Sequence, residues 1–139
     1  MIELSITLGI INLVTMMVVN IAFNFAKINN ETKKYNNELI AAYEALMYID
    51  YYINYSGEEY YVKDYRLYIE GKDGKRKNYI YTSNNEIRIA YKNQNGIGYT
   101  SQPILYGVDE FNLIQNKNVI FIEIVTLSGN TVKKAVGRL

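Results

Sequence analysis

Carboxylates are the side chains on which any acid-base chemistry of this sequence would have to rest, because the chain contains neither His nor Cys. The commonest general base, the commonest zinc ligand and the nucleophile-histidine pairs are thereby missing, as are disulfides and thiolate metal sites. Two adjacent acidic couples, Glu58 with Glu59 and Asp109 with Glu110, invite a calcium or paired-carboxylate reading. No oxygen-rich loop of calcium-site spacing surrounds either, so both read as surface acids. Gly96-Ile97-Gly98 lacks the Lys-Ser/Thr of a phosphate loop and opens no helix. Lys72 to Lys77 (KDGKRK) reads as a solvated hairpin with too small a basic footprint for DNA. With 15 basic and 14 acidic residues interleaved, net charge is +1, and no field exists to hold a phosphate backbone. The expectation is a protein with no catalytic residue, cofactor or metal, and no nucleic-acid partner.

Tyrosine is the remaining chemistry. There are 15, against no Trp and a single Pro. Tyr48, Tyr51, Tyr52, Tyr55, Tyr60 and Tyr61 cluster in sequence and could form a sugar- or base-stacking platform. Amphipathic packing, together with the AT-rich codons shared by Tyr, Asn, Ile and Lys, accounts for the cluster equally well.

The elements that would position these groups start with MIELSITLGIINLVTMMVVNIAFNFAK. From Leu4 to Ala26, 23 residues carry no charged side chain. As a helix they would cover about 34 Å, slightly more than a hydrocarbon core. A single acid, Glu3, stands at the edge, and Lys27 follows on the far side. Neither the basic region nor the small-residue cleavage site of a secretory signal flanks the run. Apolar residues then recur at helical spacing (Leu39, Ile40, Tyr43, Leu46, Met47, Ile53), and neither Pro nor Gly interrupts the chain between Gly9 and Gly57. One helix of about 50 residues is the economical reading, its second half carrying a stripe on which a domain packs.

Past Gly57 the period becomes alternating. Tyr60 to Glu70 reads as one strand, residues 71–75 as a turn, and residues 78–83 and 86–92 as two more strands around the Asn84-Asn85 turn. Residues 93–103 read as loop. Residues 104–114, 119–127 and 131–139 give three further strands, the last two joined at Ser128-Gly129-Asn130. Helix first and strands after gives an α+β fold: a long N-terminal helix, membrane-spanning in its first half, packed on a C-terminal antiparallel sheet. The expected divisions are 1–26, the apolar half; 27–56, the amphipathic half; and 57–139, the sheet domain.

Met1, Ile2, Glu3 and Leu4, at the head of a charge-free helix that runs on beyond a membrane's thickness into an antiparallel sheet, resemble the type IV pilin and type II pseudopilin family. Gly107, Val108, Asp109, Glu110 and Phe111, followed by the apolar NVIFIEIVTL, are similar to a strand pair of the larger minor pilins and competence pseudopilins. The helix proline common in major pilins is missing, which points to no particular subtype; the lack of Cys, and so of the major-pilin disulfide loop, favours a minor subunit. The resemblance implies a structural protein without turnover, entering a pilus or pseudopilus from the cytoplasmic membrane, its sheet domain extracytoplasmic and finally on a cell-surface filament. It implies that Glu3 is attracted to a neighbouring subunit's N-methylated amine, and that Ile6, Ile10, Leu13, Met17 and Ile21 pack against their equivalents in other pilin subunits. It also implies a mature N-terminus two residues before Met1, behind a basic leader cut by a prepilin peptidase. The competing expectation is a single-pass anchored binding module; an enzyme is a distant third.

Overall fold

The computed structural model describes residues 2–56, 59–71, 77–92 and 98–137. Helix α1 (Ile2–Ser56) is followed by eight strands: β1 (Glu59–Lys63), β2 (Arg66–Glu70), β3 (Lys77–Ser83), β4 (Glu86–Lys92), β5 (Tyr99–Tyr106), β6 (Val108–Asn116), β7 (Val119–Thr126) and β8 (Thr131–Gly137). The fold is α+β. The chain divides into two compact units, Met1–Asn36 and Asn37–Leu139.

In the first unit every described residue is exposed, apolar ones included. Residues 4–26 carry no charged side chain and are covered by no described residue, and the helix is long and apolar enough to cross a membrane.

In the second unit the buried helix positions are Ala42, Ala45, Leu46, Ile49 and Ile53, which fall within an arc of about 100° at helical spacing. They meet Leu67, Ile69, Ile80, Ile87 and Ile89 of a five-stranded antiparallel sheet ordered β1-β2-β3-β4-β5. They also meet Ile120, Ile122, Ile124, Val132 and Val136 of a three-stranded antiparallel sheet ordered β6-β7-β8. The helical stripe read from hydropathy is only half correct. Leu46 and Ile53 are buried, but Ile40, Tyr43 and Met47 are exposed. Ala42 and Ala45 are buried in their place. Lys134 leans back from β8, its Nζ 2.6 Å from Asp50 and 3.1 Å from the Met47 sulfur, and so fastens the small sheet to the helix.

Three strand assignments differ from the sequence reading. Tyr60 to Glu70 is a hairpin rather than one strand, because Asp64 and Tyr65 adopt φ of 51° and 57° and close a two-residue turn. Asn84 and Asn85 (φ 52° and 58°) form an equivalent turn where one was expected. Such paired positive φ values match the right-handed twist of the flanking strands. Residues 99–103, read as loop, belong to β5, with Pro103 on an edge strand that tolerates the missing N–H.

Residues 104–114 are not continuous either: Gly107 (φ 73°) breaks them, sending β5 into the large sheet and β6 into the small one. The corner is held from both sides. Val108 N–H donates to the Asn85 carbonyl (2.9 Å), the Asn85 amide donates to the Val108 carbonyl (3.0 Å), and Leu127 N–H donates to the Gly107 carbonyl (2.8 Å). At the β7–β8 hairpin, Asn130 N–H donates to Thr126 Oγ1 (3.1 Å), with Gly129 at φ 82°.

Ile49→Ala should lower unfolding free energy by about 2–5 kcal/mol, whereas the exposed Ile40→Ala should stay within about 0.5 kcal/mol. Urea unfolding of the detergent-solubilised full chain, followed by tyrosine fluorescence, checks both. Equal losses would overturn the assignment of the buried face.

Candidate functional site

Glu3 lies in the first turn of α1. A carboxylate there is favoured by the helix's positive end. Among the described residues it forms no ion pair. Ile6, Ile10, Leu13, Met17 and Ile21 are all exposed; helical geometry gathers them within about 80° of arc. Glu3 falls at the edge of the same arc.

The polar groups of this segment divide into two kinds. Thr7 and Thr15 donate their hydroxyls to the carbonyls of Glu3 and Ile11, each at 2.8 Å, so both are satisfied inside the helix. The amides of Asn12, Asn20 and Asn24 have no hydrogen-bond partner among the described residues. Asn20 and Asn24 stand four residues apart on the side of the candidate stripe. In an apolar medium an amide gains most by facing another helix that offers a partner.

The sequence cluster of tyrosines is split by the fold. Tyr51 and Tyr55 stack on the exposed side of α1 with ring centroids 5.0 Å apart. Tyr48 and Tyr52 turn toward the large sheet, where the Tyr48 and Tyr91 hydroxyls lie 3.1 Å apart and Tyr52 meets the Tyr91 ring edge-on. Burial first, and the Tyr48 hydrogen bond second, raise the Tyr91 phenol above the ordinary range. Tyr60 caps the Asn118 carbonyl.

Tyr61 belongs instead to a group that sequence spacing does not reveal. On the face of the five-stranded sheet turned away from α1, Tyr61, Tyr68 and Tyr79 stand opposite one another on β1, β2 and β3. Their centroids are 5.1 and 5.6 Å apart. Tyr81 and Tyr99 flank Tyr79 at 5.3 and 5.1 Å. The Arg66 guanidinium lies 5.2 Å from the Tyr79 ring centroid and 5.9 Å from that of Tyr81, within reach of cation–π attraction. At the rim, Glu70 accepts from Lys77 (2.8 Å) and from the Tyr61 hydroxyl (3.1 Å). Those bonds hold its carboxyl below the usual range, the lysine bond contributing most. The register of facing aromatics across three strands is the signal that would have found this row.

No group of three or more acids suited to a metal ion occurs among the described residues. Asp109 and Glu110 are exposed on β6, and Glu59 stands on β1. Glu58, residues 72–76 of the basic run, and Gly96 and Ile97 lie outside the described residues.

Tyr91 sets a pH dependence. Its phenol stays neutral in the fold at pH values where it ionises in the unfolded chain, so the stability it lends is complete below about 10 and lost as pH rises toward the raised folded value. The urea midpoint should therefore fall above pH 10 or so, and less steeply in Tyr91→Phe. An unchanged alkaline slope in that variant would show that other tyrosines govern it.

No family model, curated protein or solved structure matches this chain.

Proposed function

We propose that the chain is a structural subunit, similar to the minor pilins and pseudopilins, that leaves the cytoplasmic membrane to join a filament through the first half of α1. The observation that supports this most is the uncovered apolar unit headed by a lone carboxylate. Such a helix requires lipid or other helices around it, and a carboxylate in either medium requires a cation. Two opposite unit charges 4 Å apart attract by about 4 kcal/mol at an effective dielectric of 20, against about 1 kcal/mol in water. Pairing Glu3 with the terminal amine of a neighbouring copy would set both depth and register. Asn20 and Asn24 favour the same reading, since two unpartnered amides on one side suit helix-to-helix contact better than contact with lipid alone. A single-pass anchored binding module is the second reading, favoured by the tyrosine row on the sheet.

Glu3→Ala should remain in the membrane fraction yet be excluded from filaments sheared from the cell surface. Wild-type levels of that variant in sheared filaments would overturn the assembly role and leave α1 as an anchor. Intact mass of the N-terminal peptide should show a methylated amine on the mature first residue; an unmodified amine would count against processing as a pilin.

A further inference from the structure

The outer face of the five-stranded sheet is built unlike an ordinary solvated surface. Its centre is the row Tyr61, Tyr68 and Tyr79 with Tyr81, Tyr99 and Arg66 around it. The rings lean on one another, the Tyr61–Tyr68 planes within 13°. Side chains stand roughly perpendicular to a sheet, so such a row turns ring edges and phenol tips toward solvent. That is a line of C–H groups alternating with hydroxyls that both donate and accept.

Charge on this face is unbalanced. The strand register places Lys63, Arg66, Lys77, Arg88 and Lys92 on it, against Glu59, Glu70 and Glu86. Glu70 and Glu86 are already engaged, by Lys77 and Arg88. Arg66 is exposed and forms no ion pair among the described residues, and its guanidinium is oriented by two rings. A planar fork held in this way suits a carboxylate bidentately.

We infer that this face binds an acidic glycan, with sugar rings along the tyrosine row and a uronic-acid carboxylate on Arg66. The other polyanions fit less well. A nucleic-acid strand draws its affinity from many phosphate contacts, and among the described residues of this face only Lys63, Arg66 and Lys92 are uncommitted; the mutual stacking of Tyr61, Tyr68 and Tyr79 also leaves little ring face for bases. A lipid surface requires bulky apolar anchors, and the tyrosines aside, Ala90 and Pro103 are the apolar side chains that the described strands bring to this face. The inference is independent of the assembly reading, and Glu3→Ala should leave glycan binding intact.

The test is isothermal titration calorimetry on the full chain in detergent micelles with oligogalacturonate as probe, maltohexaose as the neutral control and oligothymidylate as the nucleic-acid control. Saturable, salt-sensitive binding of oligogalacturonate alone is expected. It should weaken about tenfold or more in Arg66→Gln, the loss of one charge-assisted contact, and fall also in Tyr99→Ala, with urea midpoints unchanged to show that the sheet is intact. No binding, equal binding of oligothymidylate, or full affinity in Arg66→Gln would each overturn the inference. So would self-association that Arg66→Gln abolishes, which would make the face a contact between copies of the chain.

Discussion

A single narrow stripe of helix, Ala42, Ala45, Leu46, Ile49 and Ile53, serves two sheets at once. Neither sheet has an independent core. Each is apolar on one face, and that face contributes to stability only when it is removed from water. The helix supplies the cover. Past Asn36 toward the N-terminus the same helix has no such stripe, and everything on it is exposed. One continuous secondary structure therefore meets two requirements: a one-sided face where it packs on strands, and over residues 4–26 an all-round apolar surface that no described residue covers.

The two sheets must be joined without leaving a backbone group unpaired, and the join is Gly107. A residue with a Cβ at φ 73° would strain the backbone although there is open space around it. The turn at Asn84 and Asn85 is more than a hairpin in this light. Asn85 bonds Val108 through its backbone carbonyl and its side-chain amide, so the β3–β4 turn of one sheet receives the first residue of the other. Local turn chemistry and long-range sheet assembly thus depend on the same residue.

Hydropathy made the coarse architecture legible: a charge-free run, a helical period without breakers, then alternation with turn residues between. It misled where packing overrides residue type. Tyr65 in a left-handed turn contradicts the steric preference of an aromatic residue, so a sequence reader sees one strand where two exist. The polar Thr100, Ser101 and Gln102 resemble loop, yet as part of an edge strand they need little apolar character. On the helix, counting large apolar residues selected Ile40, Tyr43 and Met47, which face outward, over the small Ala42 and Ala45 that face the core. Glu3 and the stripe from Ile6 to Ile21 were singled out by a motif and not by burial, since these residues are exposed like the rest of their unit. The tyrosine row is not legible in the sequence because register, not sequence spacing, assembles it.

Codon bias can supply both Tyr and Ile in quantity, but it is blind to the face of a sheet. In the large sheet Ile69, Ile80, Ile87 and Ile89 lie inward, while Tyr61, Tyr68 and Tyr79 lie outward in register with one another and Tyr81 lies outward two residues along from Tyr79. A ring with a polar tip suits a half-exposed site better than a branched alkane does. That preference explains why tyrosine is tolerated outside. It does not explain why the rings adjoin one another in place of alternating with the lysines and glutamates of the same strands. Facing aromatics add about 0.2–1 kcal/mol per cross-strand pair, an increment to a β1 edge that is also fastened by its ladder with β2, by Val62 N–H donating to the Gln115 side chain and by the Tyr60 hydroxyl donating to the Asn118 carbonyl. The same adjacency orients Arg66 and leaves its charge without a carboxylate partner among the described residues. Packing thus accounts for the rings themselves, and the unmatched guanidinium held above them is the part of this face that sheet stability alone does not require.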